Sequence, residues 1–98
     1  MKKAIQVKKN IDRLKEQIIN IGDMRPGSLS RQSRSWGKEY WQISYTHRGR
    51  GRTGYVSEKN YPRVKKEIKN HKIFKEYCKK LIDLSLEYAK LIDKENDS

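Results

Sequence analysis

Seven of the chain's eight arginines lie between Arg25 and Arg63, and six of them (Arg25, Arg31, Arg34, Arg48, Arg50, Arg52) frame a short aromatic run, Tyr40-Trp41-Gln42-Ile43-Ser44-Tyr45. A guanidinium is charged at every accessible pH and presents a planar fork of donors, which matches a phosphate or the O6/N7 edge of guanine. The sequence Arg48-Gly49-Arg50-Gly51-Arg52 is expected to carry three such groups on a turn narrow enough to approach a groove, with a solvated turn or a protein contact as the competing reading. Arg25, Arg31, Arg34 and Lys38 belong to a polar stretch that reads as an extended arm able to order along a phosphate backbone. Arg63 sits in a second basic group with Lys59, Lys65, Lys66, Lys69 and Lys72, suited to general phosphate attraction.

If the aromatic run is a strand, Trp41, Ile43 and Tyr45 share one face, and Tyr40, Gln42, Ser44 and Thr46 the other. The first set should pack on helices. Gln42, Ser44, Thr46 and Thr53 then become candidate readers of base edges, because a two-stranded ribbon fits the major groove. Tyr40 or Tyr55 offers a surface for base stacking. Catalytic chemistry finds no such support. His47 and His71 lack neighbouring cysteines or carboxylates in a metal-binding pattern, and neither Cys78 nor any serine sits in a nucleophile motif. Asp83 and Glu87 share a helix face but read as solvated, and no phosphate-cradling glycine loop is present. No enzyme activity, metal or cofactor is expected.

The positive charge is local. Residues 1–24 carry six basic and three acidic groups, 25–72 thirteen and three, and 73–98 five and six, within a net charge of +12. A balanced C-terminal segment beside a basic centre separates a scaffold from a contact surface. With 98 residues, 34% apolar content and a mean hydropathy of −1.10, one domain with a small core is expected, which self-association would help to cover. The lone Cys78 points to a reducing compartment. No apolar run approaches the roughly 18 residues of a membrane span, and the Met1-Lys2-Lys3 start lacks the apolar stretch of a signal peptide. A cytoplasmic location is expected, prokaryotic or in the host cell of a phage.

These groups need a frame. Ala4, Val7, Ile11, Leu14, Ile18 and Ile21 recur at helical spacing and predict a helix over about 2–21, and Gly22 supplies a stop. Phe74, Tyr77, Leu81, Leu84, Tyr88 and Leu91 repeat the pattern in a second helix, which Ser57, Asn60 and Pro62 start near Tyr61 and which reaches about 94. The spacing leaves open whether it bends near Asn70. The expected fold is α+β, with these two helices packed antiparallel around an inserted basic arm (23–39) and a two-stranded β-hairpin (about 40–57), followed by a tail at 95–98. Ile73, Cys78, Ile82, Ala89 and Ile92 widen the second stripe beyond what one partner helix needs, so a second copy is expected to cover the surplus around Leu81, Leu84 and Tyr88.

The order and spacing of Gly27-Ser28-Leu29-Ser30, Gln42-Ile43-Ser44-Tyr45, Tyr61-Pro62-Arg63-Val64-Lys65 and Asp83-Leu84-Ser85-Leu86-Glu87 resemble a small prokaryotic domain of uncharacterised function that recurs beside transposase and other mobile-element genes. The resemblance covers about residues 24–92. It implies a mobile-element or phage setting. Members of that family usually place a cysteine knuckle suited to zinc between the Gly-Ser-Leu entry and the hairpin; here Ser35-Trp36-Gly37-Lys38-Glu39 runs straight into the strand. Trp36 is expected to replace coordination by aromatic burial, and stoichiometric zinc in purified protein would refute this.

The functional expectation is a nucleic-acid-binding accessory protein, dimeric, contacting DNA or RNA chiefly through phosphate. About six phosphate contacts on duplex give a log–log salt slope near −5. The rival is a phage or mobile-element protein that inhibits or adapts a host nucleic-acid enzyme, such as a nuclease or CRISPR complex, by protein contact. A third reading is a helical assembly factor for a transposase, docking through the stripe around Leu81, Leu84 and Tyr88.

Overall fold

The computed structural model describes residues 2–35 and 37–97, so Trp36 and its expected burial lie outside the described residues. The chain is α+β: two helices, α1 (Lys2–Ile19) and α2 (Tyr61–Asp97), with three strands, β1 (Ser28–Ser33), β2 (Glu39–His47) and β3 (Arg50–Val56), between them. They fall into two compact units, Met1–Ile21 with Ile73–Ser98, and Gly22–Lys72.

In the helical unit, the heptad-like spacing of α1 does what its pattern requires: Ala4, Val7, Ile11 and Leu14 are buried. Leu14 shares a cleft with Tyr77 and Leu84 of α2, and the Lys8 ammonium lies 5.8 Å above the Tyr88 ring. Helix α2 runs unbroken through Asn70, since no glycine or proline interrupts its ladder after Pro62.

The other unit is an antiparallel sheet in the order β1-β2-β3, backed by the first turns of α2. Ile43, Val56, Val64 and Ile68 form its buried core, with Leu29, Trp41, Tyr45 and Tyr61 packed around them. Trp41, Ile43 and Tyr45 therefore do face the helix. Ser57 starts α2: its hydroxyl accepts from the Asn60 N–H at 3.2 Å, and the Asn60 carbonyl then accepts the Val64 N–H at 2.9 Å.

The expected two-stranded hairpin is corrected to a three-stranded sheet, because the middle of the arm is β1. Leu29 is its one apolar residue and pairs with Ile43 across the ladder. An edge strand with a single apolar core-facing side chain shows no hydrophobic period. The arm's first half is tied to α2 as well: the Arg25 N–H donates to the Glu67 carbonyl at 3.2 Å, and the Asn70 side-chain amide donates to the Asp23 carbonyl at 2.9 Å. Gly27, at φ 142°, passes so close to the sheet that a Cβ there would lie 2.9 Å from Ile43 Cγ1 and 3.1 Å from the Ser44 carbonyl oxygen.

Candidate nucleic-acid interface

The ladder sorts the candidate side chains by face, since residues opposite one another across antiparallel strands project to the same side. One set comprises Ser28, Ser44 and Thr53 on one rung, Ser30, Gln42 and Tyr55 on another, the Gln32–Tyr40 pair, and Thr46 opposite Gly51. The core lies on the opposite face, so this set points outward. It contains hydroxyls, amides and two phenols, and no carboxylate. Tyr55 is 65% exposed, with its ring 6.2 Å from that of Tyr40. Gln42, Ser44 and Thr46 thus stand together on the open face, as their alternation with Trp41, Ile43 and Tyr45 requires.

The hairpin tip differs from the expected glycine-rich loop. Strands β2 and β3 pair as far as His47 and Arg50, leaving a two-residue turn in which Arg48 (φ 52°) and Gly49 (φ 76°) both take the left-handed conformation. Positive φ at both central positions is the geometry of a type I′ turn, whose twist matches the flanking strands. Only Arg48 therefore sits at the apex. Arg52 pairs with Tyr45 and Arg50 with His47, which puts these two guanidiniums on the helix-facing series, on the edge strand, rather than beside Gln42, Ser44 and Thr46. All three arginines are exposed. Among the described residues none has a carboxylate within ion-pair distance.

The remaining arginines are largely committed to the fold. Arg25 Nε and Arg63 Nη1 both reach Glu67, at 3.0 and 3.1 Å, and the Glu67 side chain is only 13% exposed. Arg31 donates to Glu39 and lies 5.2 Å above the Trp41 ring, which in turn stacks on Tyr61 at 4.3 Å. A guanidinium over two stacked rings closes that end of the core. Two of these three corrections share a cause: Arg25 and Arg31 come within reach of their carboxylates only in the folded chain, whereas Arg63 and Glu67 are an i,i+4 pair on α2. Arg34 lies 5.0 Å above the Tyr40 ring in the β1–β2 turn, which closes where the Arg34 N–H donates to the Lys38 carbonyl at 2.8 Å. Lys38 is exposed there.

Sequence reasoning missed the outward residues of β1, Ser28, Ser30 and Gln32. The signal was faint but present: a polar alternation around Leu29 directly after a glycine. It also missed a cleft of about 460 Å³ between β1, β2 and the start of α2, lined by Trp41, Tyr61, Lys65, Lys69 and Lys72 among others. In the helical unit, Leu81, Leu84 and Tyr88 are half-buried, whereas Ile82 and Leu86 are exposed. Among the described residues, no group of three histidine, cysteine or acidic side chains is placed to hold a metal ion, and no helix is long and apolar enough to cross a membrane. Comparison with protein-family models, with curated proteins and with solved structures finds no match to this chain.

Proposed function

We propose that this chain binds nucleic acid, with duplex DNA the favoured form, by laying the outward face of its sheet on the polymer while rim cations clasp the phosphates. One observation carries the reading. A carboxylate-free hydrogen-bonding face ends at Arg48 on the turn, with Arg50 and Arg52 on the reverse series of the adjoining edge strand β3, and no acidic side chain neutralises these three arginines among the described residues. Gln42, Ser44, Thr46 and Thr53 would meet base edges, and Arg34, Lys38 and the tip arginines would meet the backbone. Beyond Ser44, where pairing with β1 ends, the β2–β3 tip is a two-stranded ribbon, which fits the major groove of B-DNA, whereas the narrow major groove of A-form RNA excludes it.

The first turns of α2 back this surface through Val64 and Ile68. Antiparallel pairing of α1 with the distal part of α2 is supported by Lys8 against Tyr88 and by Leu14 beside Tyr77 and Leu84, because α1 numbers rise as α2 numbers fall. The protein acts by binding rather than by catalysis, as a cytoplasmic accessory of a mobile element or phage; that setting rests on the family resemblance alone. Titrating purified chain against duplex DNA, single-stranded DNA and structured RNA tests the reading. Duplex should bind with a dissociation constant of about 1 µM or lower at about 0.1 M salt. Absence of binding to all three at about 100 µM contradicts it, and preference for single strands would move the contact to Tyr55.

A further inference from the structure

Once α1 is satisfied, α2 still carries an apolar stripe. Ile82 and Leu86 are 60% and 57% exposed, Ala89 is exposed beside them and Cys78 is half-buried. At 100° per residue these four lie within about 80° of arc, on the side of α2 away from Leu84 and Tyr88. Exposed aliphatic side chains in a row call for a partner.

The charges beyond the stripe identify that partner. Lys75 and Asp93 flank it at opposite ends and fall on the same helix face as Ile82. Both are exposed, and among the described residues neither has an ion-pair partner. Lys75 and Asp93 are equally distant in sequence from position 84, and so are Ile82 and Leu86. A twofold axis through that level of α2 therefore sets Ile82 against Leu86 of the other copy, and at the same stroke Lys75 against Asp93, twice. A surface complementary to itself under a twofold rotation is the signature of an isologous dimer.

We propose that two copies of this chain associate through an antiparallel α2–α2 contact centred on Ile82 and Leu86, with reciprocal Lys75–Asp93 pairs at its ends. This moves the self-association seam from Leu81, Leu84 and Tyr88, which are half-buried beside α1, to the stripe that α1 leaves open. The proposal does not depend on the nucleic-acid reading, and its test contains no nucleic acid.

Sedimentation equilibrium of the nuclease-treated full chain reads the mass directly. Wild type should approach twice its 11.7 kDa as its concentration rises to about 300 µM, a range set by the small apolar contact. Ile82→Gln with Leu86→Gln should raise the dissociation constant by about 100-fold or more. Both positions are exposed and glutamine favours helix, so the variant should keep the wild-type helical ellipticity. Lys75→Glu alone and Asp93→Lys alone should each raise it by about tenfold, and combining them should restore it to within about threefold. A monomeric wild type overturns the proposal, as does a double glutamine variant that dimerises normally. Charge reversals that fail to rescue one another overturn its antiparallel register.

Discussion

The two units of this protein use charge in opposite ways. Residues 22–72 hold thirteen basic and four acidic groups, whereas 1–21 with 73–98 hold eleven and eight. In the helical unit, charges of both signs keep long helix faces wet, and short pairs such as Lys8–Asp12 at 3.4 Å are of the exposed kind that contributes little. In the sheet unit a largely buried acid has a structural post: Glu67, only 13% exposed, gathers Arg25 and Arg63, while Arg31 pairs with the exposed Glu39 and lies over the Trp41 ring. A basic excess is therefore not in itself a binding surface. What matters is which cations remain after the fold has taken its share, and in the sheet unit these include Arg48, Arg50 and Arg52.

The contrast breaks most completely at Val64, 2% exposed and at the centre of the sheet unit's core. Val64→Asp buries a carboxylate with no partner and should cost about 4 kcal/mol or more. It should unfold the sheet and abolish binding, as read by near-ultraviolet dichroism and a duplex titration together. Replacing Arg48, Arg50 and Arg52 together by alanine should leave the fold intact yet weaken duplex binding by about 100-fold at 0.1 M salt. The matching removal of three exposed lysines from the helical unit, Lys9, Lys15 and Lys90, should weaken it by less than about threefold. Equal losses would erase the distinction between the units.

A subtler change sits where the arm joins the sheet. Gly27→Ala combines a φ of 142° with a Cβ 3.1 Å from a backbone oxygen that cannot yield, and should cost about 2 kcal/mol in urea denaturation. The smallest effect is expected at the apex. Arg48 occupies a left-handed position (φ 52°) that asparagine tolerates better, so Arg48→Asn should stabilise the chain by about 0.5–1 kcal/mol while weakening binding. A gain in stability with a loss in affinity would identify Arg48 as retained for contact rather than for the turn.

The helices and the central strand were legible because their periods are strong. Ala4 to Leu14 repeat at helical spacing, and Trp41, Ile43 and Tyr45 alternate with polar residues, so both the elements and their buried faces could be read directly. Strand β1 was not legible, since Leu29 is its only apolar residue and Ser-Arg-Gln-Ser carries no hydrophobic period. The outward Gln42, Ser44 and Thr46 followed from alternation. The arginines did not, for two physical reasons. Arg50 and Arg52 leave the tip for β3 because the turn is the two residues Arg48-Gly49 and not the whole Arg48–Arg52 run, a matter of register that composition does not encode. Arg25 meets Glu67 and Arg31 meets Glu39 only through tertiary packing, so sequence could count them but not show that they were engaged, whereas Arg63 and Glu67 are an i,i+4 pair on α2 that helix spacing alone could have shown.

The most direct test is the dependence of duplex affinity on salt in wild type and in the Arg48, Arg50 and Arg52 triple-alanine variant, measured from about 50 to 300 mM. Five rim cations, Arg34, Lys38, Arg48, Arg50 and Arg52, should give wild type a log–log slope of about −4.5 and the variant about −1.8. Parallel lines of the same slope, or a wild-type affinity indifferent to salt, would contradict the claim that these arginines hold phosphate.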